Sequence, residues 1–290
     1  ATHTSGLPRS PDRALVRDPS NPYADIPIED VYTFLASHEL QRDIGAEWEY
    51  SNLGFGLLGH ALVRAAGAQT MDELVRERIT MPLKMSMTGY GRGNGLAAWL
   101  AKGHDEYGEA VPYWDFGEFK GAGGLNSNVE DMLTYIDANV GEPGSPIEAA
   151  MRDAHQPRHS LNIKGNSQSL GWDHRVRPGR TIIYKSGSTA GFAGALGFDP
   201  ATRAGVVVLG NSDAFESRTN VVLQLLKGGR PQFSKAAPLQ RALSARHDVV
   251  TVHSGQHYDD NMSAIFFREL EMPPPEIHLG VGSGRHARHT

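Results

Sequence analysis

Two short blocks of this sequence could do acid–base chemistry together. Tyr50-Ser51-Asn52 follows Glu47-Trp48-Glu49 and opens an apolar run, and Lys185-Ser186-Gly187-Ser188 ends a β-type run ahead of Gly191-Phe192-Ala193-Gly194. A lysine ammonium beside a phenol lowers the phenol's pKa and suits it to act as a general base toward a serine. A glycine-flanked strand presents backbone N–H groups to a developing oxyanion. Together they would serve acyl transfer. The same residues also fit a buried tyrosine with a satisfied hydroxyl and a solvated lysine, because neither tripeptide is rare.

Other chemistries find less support. Of 13 histidines, His155 and His159 are spaced i, i+4, and His247, His253 and His257 lie close together. No His-Glu-x-x-His pattern accompanies them, so no metal site and no cofactor is expected. The run Gly280-x-Gly282-x-Gly284 has no helix-forming segment after it and is read as a loop, not a dinucleotide fingerprint. With 0 cysteines, disulfides, thiolate zinc sites and a cysteine nucleophile are excluded.

The elements that must carry the two blocks can be read from periodicity. Residues up to Pro27 contain Pro8, Pro11, Pro19 and Pro22 and read as an irregular surface segment. Residues 28–40 and 55–66 repeat apolar positions at helical spacing. Thr70-x-x-Glu73, Ser127-x-x-Glu130 and Ser145-x-x-Glu148 are capping boxes that place helix starts near 71, 128 and 146, the last with Pro146 at the first helical position. Residues 88–95 and 117–125 read as glycine-rich loops. Runs at 181–184, 193–198 and 205–209 read as strands, the last two joined as an antiparallel hairpin by the turn Asp199-Pro-Ala-Thr-Arg203. A helix over 214–226 ends at Lys227-Gly228-Gly229, taken as a domain boundary. Beyond it, helix 236–245, strand 249–252, helix 261–270 and strand 277–279 alternate as in a parallel α/β fold. Such a segment of about sixty residues buries only a marginal core.

A chain of 290 residues with 39% hydrophobic and 21% charged residues has an ordinary globular composition. The balance of 28 Lys+Arg against 33 Asp+Glu gives −5 and no basic field, so nucleic acid is not an expected partner. No apolar stretch approaches the ~20 residues of a membrane helix. The N-terminal residues show no basic or apolar signal region. Composition sets no oligomeric state.

The ordered motifs resemble the serine β-lactamase and penicillin-binding protein superfamily, most closely its class C β-lactamase and esterase branch, over about residues 1–226. The resemblance rests on His3-Thr-Ser-Gly-Leu-Pro8, Tyr50-Ser-Asn-Leu-Gly-Phe-Gly-Leu-Leu-Gly59, Gly121-Ala-Gly-Gly-Leu-Asn-Ser-Asn-Val-Glu-Asp-Met132, Lys185-Ser-Gly-Ser-Thr-Ala-Gly-Phe192 and the segment from Ala195 to Asn211. It implies an α+β fold, an antiparallel sheet flanked by helices, with residues 1–227 as the hydrolase domain. It further implies Tyr50 as general base or proton shuttle, Lys185 as its electrostatic partner and Asn52 as a substrate amide contact. Ser186 would meet a substrate carboxylate, Gly187 would lie in the same substrate-binding strand, and the Ser188 N–H would be half of an oxyanion hole. Asn211 would end a strand facing the pocket, or serve as a polar strand terminus. The implied substrate is a small amide or ester: a β-lactam, a D-amino-acid peptide or an ester. The implied location is periplasmic or secreted. The superfamily's nucleophile is the Ser of a Ser-x-x-Lys helix, and no serine here has a lysine three residues on, so impaired acyl chemistry is expected.

Residues 228–284 carry a second resemblance, through Gly229-Arg-Pro-Gln-Phe-Ser-Lys-Ala-Ala-Pro238, His253-Ser-Gly-Gln-His-Tyr-Asp-Asp-Asn-Met262 and Phe266-Phe-Arg-Glu-Leu270, to the opening of the non-hydrolysing UDP-N-acetylglucosamine 2-epimerases. It implies a partial Rossmann-like α/β segment over 228–290 in which Arg230 contacts a nucleotide diphosphate. The competing functional classes are thus a noncatalytic ligand-binding protein and a nucleotide-sugar enzyme acting through this segment.

Overall fold

The structure, a computed structural model, describes residues 1–10, 15–91, 95–161, 166–214, 218–228, 252–253 and 277–278. The chain forms two compact units, Ala1–Arg230 and Pro231–Thr290. In the second unit, the short strands Val252–His253 and Ile277–His278 pair in parallel. The other elements expected there, and Arg230, lie outside the described residues.

The first unit opens with an extended segment and helix α1 (Ile28–Ser37), followed by α2 (Asn52–Ala66) and α3 (Met71–Val75), which continues as a π-helical turn. The short strands β1 (Gly89–Tyr90), β2 (Gly103–His104), β3 (Ala110–Val111) and β4 (Leu125–Asn126) lead to α4 (Val129–Val140) and α5 (Pro146–Ala154). A six-stranded sheet then runs through β5 (His159–Ser160), β6 (Asn166–Gln168), β7 (Asp173–Arg177), β8 (Arg180–Thr189), β9 (Phe192–Asp199) and β10 (Ala204–Gly210), and α6 (Arg218–Leu226) follows. Each strand lies antiparallel to its sequence neighbour, the order that short connections favour. The fold is α+β.

Helices cover both faces of the sheet. Consecutive side chains of a strand point to opposite faces, and here Ile183 packs with Phe198, Trp172, Ile136 and Val140 beneath α4, whereas Ile182 packs with Ala195, Val222, Leu223 and Leu226 beneath α6. A third core joins Tyr23, Ile26 and Val31 to Leu53, Phe116 and Phe119. The described residues before α1 are irregular, as expected, yet His3, Tyr23 and Ile26 among them are buried, and Tyr23 and Ile26 pack in one core with Val31 of α1 and Leu53 of α2.

At two of the expected helix starts the N-cap accepts as expected, while the glutamate's return bond goes to the residue before the N-cap. Glu73 N–H donates to Thr70 Oγ1 at 3.1 Å and Gln69 N–H to Glu73 Oε2 at 2.6 Å; Glu148 N–H donates to Ser145 Oγ at 3.4 Å and Gly144 N–H to Glu148 Oε2 at 2.7 Å. The third is shifted by one residue. Asn128 caps α4 by accepting from Asp131 N–H at 2.8 Å, and the Ser127 hydroxyl instead meets Thr88 Oγ1 at 2.7 Å. In α2, Gly59 touches Gly121: a Cβ on Gly59 would lie 2.7 Å from Gly121 Cα, so this crossing admits no side chain. That contact sets the helix against the loop leading to α4.

Candidate active site

One cleft of about 2010 Å³ is lined by every motif residue inside the described region: Tyr50, Asn52, Lys185, Ser186, Gly187, Ser188 and Asn211. They arrive from three elements. Ser51 is the N-cap of α2, its Oγ accepting from Gly54 N–H at 2.8 Å, so Tyr50 sits just outside the helix and Asn52 at its first residue. Lys185 to Ser188 belong to β8 itself, which continues to Thr189 instead of ending at the lysine. Strand β7 stops at Asp173, opposite Tyr184, so beyond that point β8 is paired only with β9 among the strands of the sheet. Its other edge borders the cleft.

The site brings Lys185 Nζ to 5.9 Å from the centroid of the Tyr50 ring, within cation–π range. Arg9 lies over the same ring, its Cζ 5.0 Å from the centroid. The expected activation of the phenol is not what this geometry produces. Burial pushes the Tyr50 phenol up, the Arg9 charge opposes that, and Tyr23 and Asp173 reinforce it. The Lys185 ammonium is instead engaged by the Asp173 carboxylate at 3.1 Å. Tyr50 therefore holds its proton at neutral pH.

Asn52 and Asn211 are both committed within the protein. Asn52 Nδ2 donates to the Tyr23 hydroxyl at 2.8 Å. Asn211 Nδ2 donates to the Lys102 carbonyl at 2.9 Å. Around Asn211 the segment 102–105, which contains β2, is strapped across the ends of the strands. His104 N–H reaches the Asn211 carbonyl at 3.0 Å, Asp213 N–H reaches the His104 carbonyl at 2.9 Å, and Gly191 N–H donates to Asp213 Oδ1 at 3.0 Å. Gly191 has φ +69°, and a Cβ there would lie 2.6 Å from His104 N, so only glycine fits under the strap. The strap carries an aromatic wall into the cleft: Tyr113 stacks on Phe192 at 5.1 Å, and Trp99 stands 75% exposed at the rim.

Pattern reasoning did not single out His3, Arg9, Tyr23 or Asp173 as individual residues. His3 and Arg9 lie in the irregular segment, Tyr23 among its prolines, and Asp173 on a strand with a single aliphatic residue, Val176. The histidine spacing at 155 and 159 does not survive folding. His155 Nε2 bonds Asn139 Oδ1 at 2.7 Å in the interior, and His159 lies on β5. Among the described residues no helix is long and apolar enough to cross a membrane.

Comparison with known proteins places this architecture. A stretch of 63 residues is 46% identical to a UDP-N-acetylglucosamine 2-epimerase homolog of Methanococcus maripaludis, covering 22% of this chain and 18% of that protein. Over 224 residues the chain is 28% identical to the D-alanyl-D-alanine-carboxypeptidase/endopeptidase AmpH of Escherichia coli K12, covering 72% of this chain and 56% of that one. The solved beta-lactamase/D-alanine carboxypeptidase from Pseudomonas syringae superposes with a TM-score of 0.67 at 20% identity, over 79% of this chain and 70% of that chain. The chain spans from 18% to 56% of the length of these curated relatives. Residues 1–227, nearly all of the unit that builds the cleft, match the Beta-lactamase family model, and the chain belongs to the beta-lactamase family.

Proposed function

We propose that the first unit holds a small amide or ester bearing a carboxylate, in the manner of a serine hydrolase of the β-lactamase and penicillin-binding type. The observation that carries this reading is the meeting of Tyr50 and Lys185 in one cleft with the free edge of β8. Lys185 and Arg9 supply positive charge for the carboxylate. Ser186 and Gly187 line the strand against which the ligand lies, and the Ser188 N–H faces the carbonyl. Asn52 meets the ligand's amide once it exchanges its bond to Tyr23. With its raised pKa, Tyr50 acts as a proton donor to a leaving group more readily than as a base. Asn211 acts through the strap and not on the ligand.

We further infer that the 290 residues bind without efficient acylation. The cleft lysines are Lys120 and Lys185, ion-paired to Asp72 at 2.6 Å and to Asp173 at 3.1 Å, and no serine stands in a Ser-x-x-Lys pattern. Calorimetric titration with benzylpenicillin tests binding, and Lys185→Ala is expected to weaken it at least tenfold. Intact-mass analysis tests acylation. Absence of binding overturns the first claim, and a stoichiometric adduct on one serine overturns the second. The 63-residue likeness favours a further reading of residues 228–290 as a separate epimerase-like segment with Arg230 toward phosphate; turnover of UDP-N-acetylglucosamine is not expected, and its detection would establish that segment as an active domain.

A further inference from the structure

The residue beneath Tyr50 is unusual in three independent respects. His3 is 5% exposed, its backbone lies in the left-handed region at φ 56°, and its ring is enclosed by aromatic neighbours. The centroids of Tyr50 and Phe55 lie 4.3 and 4.4 Å from it at shallow angles, and Trp48 meets it edge-on at 6.0 Å. The backbone fixes it as firmly. Glu49 N–H donates to the His3 carbonyl, Gly45 N–H to that of Thr4 and Asn52 N–H to that of Arg9, each at 2.8 Å. Residues 3–9 thus form a pad tied to the chain on both sides of Tyr50.

The polar edge of the ring is used too. Ser51 N–H donates to His3 Nδ1 at 3.1 Å, so Nδ1 is the acceptor and the ring proton sits on Nε2. The Ser51 side chain caps α2, which leaves its own N–H to find another acceptor, and His3 is that acceptor. One imidazole therefore fixes both the ring of Tyr50 and the backbone immediately after it.

We propose that His3 is a positioning residue for Tyr50, holding the phenol against the cleft wall through ring stacking and the Ser51 N–H bond. The inference rests on the reading of Tyr50 as the proton carrier. Burial, with the Lys185 charge adding to it, brings the His3 pKa down to about 4, so the ring stays the neutral acceptor that this arrangement needs at ordinary pH. Protonation would set an Nδ1–H against the Ser51 N–H. The charged groups around the pair are the Ala1 ammonium beside His3, Arg9 beside Tyr50, Asp173 of β7 and Lys185 of β8.

Two variants separate the two contacts. His3→Asn keeps an acceptor and tolerates the left-handed backbone but removes the ring, whereas His3→Phe keeps a ring and removes the acceptor. The readout is the ring-carbon resonance of Tyr50 in protein labelled with [13C]tyrosine, assigned with Tyr50→Phe, followed against pH alongside near-ultraviolet dichroism as a check on folding. In His3→Asn the Tyr50 resonance is expected to move and its titration midpoint to fall, because water reaches the phenol. In His3→Phe the midpoint should stay near wild type while the line broadens, because the backbone at Ser51 is no longer tethered. Benzylpenicillin affinity should drop about tenfold in His3→Asn. Folded variants that lose thermal stability but keep the wild-type Tyr50 shift, line width and midpoint would overturn the proposal. If the wild type binds no penicillin, the functional reading fails while the titration still decides the role of His3.

Discussion

Replacing Gly59 by alanine pits two effects of known size against each other. In a helix interior the substitution ordinarily adds up to about 1 kcal/mol of stability. At Gly59 the new methyl would lie 2.7 Å from Gly121 Cα and 3.1 Å from Gly121 N. Those neighbours are backbone atoms and cannot rotate away. Moving residues 120–122 outward to ordinary contact, close to 1 Å, is overpacking of the kind that costs about 1–3 kcal/mol. The clash should win, leaving a net loss of about 1 kcal/mol. Ala61→Gly, on the exposed face of the same helix, isolates the propensity effect and should cost about 1 kcal/mol on its own. Urea unfolding followed by dichroism gives both numbers, with a lower midpoint for Gly59→Ala at an unchanged slope. A Gly59→Ala protein more stable than wild type, by the amount that Ala61→Gly loses, would refute the argument that the crossing is closed.

Three other outcomes follow from the structure. Burial alone would raise the Asp199 carboxyl, but the hydrogen bonds from Arg180 and from the Ala201 N–H outweigh it and hold its pKa below the usual value; stability from this group is present above about pH 4 and lost as pH falls through the folded value, and Arg180→Met, which strands a carboxylate 1% exposed, should cost about 3 kcal/mol in denaturant unfolding. Burial also brings His155 down to about 4, as it does His3, so the unfolded chain binds protons that the folded one does not; between pH 6.5 and about 4 each should make stability fall by up to about 1.4 kcal/mol per pH unit, and His155→Gln should flatten that slope if the geometry is right. Ser145→Ala removes the Oγ that accepts from Glu148 N–H, leaves the Gly144 N–H bond to Glu148 in place, and should cost about 1 kcal/mol, whereas a neutral result in thermal unfolding would mean that α5 is held by packing alone.

What the sequence disclosed and what it concealed have separate physical origins. The hairpin of β9 and β10 was legible because Ala193–Phe198 and Gly205–Leu209 are apolar runs around a turn with Pro200, and α1 started where Pro27 required it to. Strands β5 to β7 were not legible, since Asn166–Gln168 and Asp173–Arg177 are polar and stay in register only through the tertiary ladder with β8. The loop reading of 88–95 and 117–125 missed the two-residue pairing of β1 with β4, which no local pattern encodes. Helix α2 began three residues earlier than its apolar run because Ser51 caps it. Of the site, the motifs placed Tyr50 and Lys185, but the groups that set their charges, Arg9 and Asp173, were invisible to spacing because they enter from distant chain segments.

The strap over Gly191 also bears on the order in which the molecule assembles. Its bonds join residues about 107–109 apart in sequence, Lys102 to Asn211 and His104 to Asn211, whereas β9 and β10 join across a turn of only a few residues. Closing a long loop costs more entropy than closing a short one and delays the contacts that depend on it. The hairpin can therefore form first, with the strap docking onto an existing strand end. On the refolding pathway the aromatic wall at Tyr113 and Phe192 would then be among the last parts to close, and an intermediate with a complete sheet would still lack a ligand-holding cleft. Pulsed hydrogen exchange would see this as protection at Val206 and Val208, whose N–H groups face β9, preceding protection at His104 and Asp213.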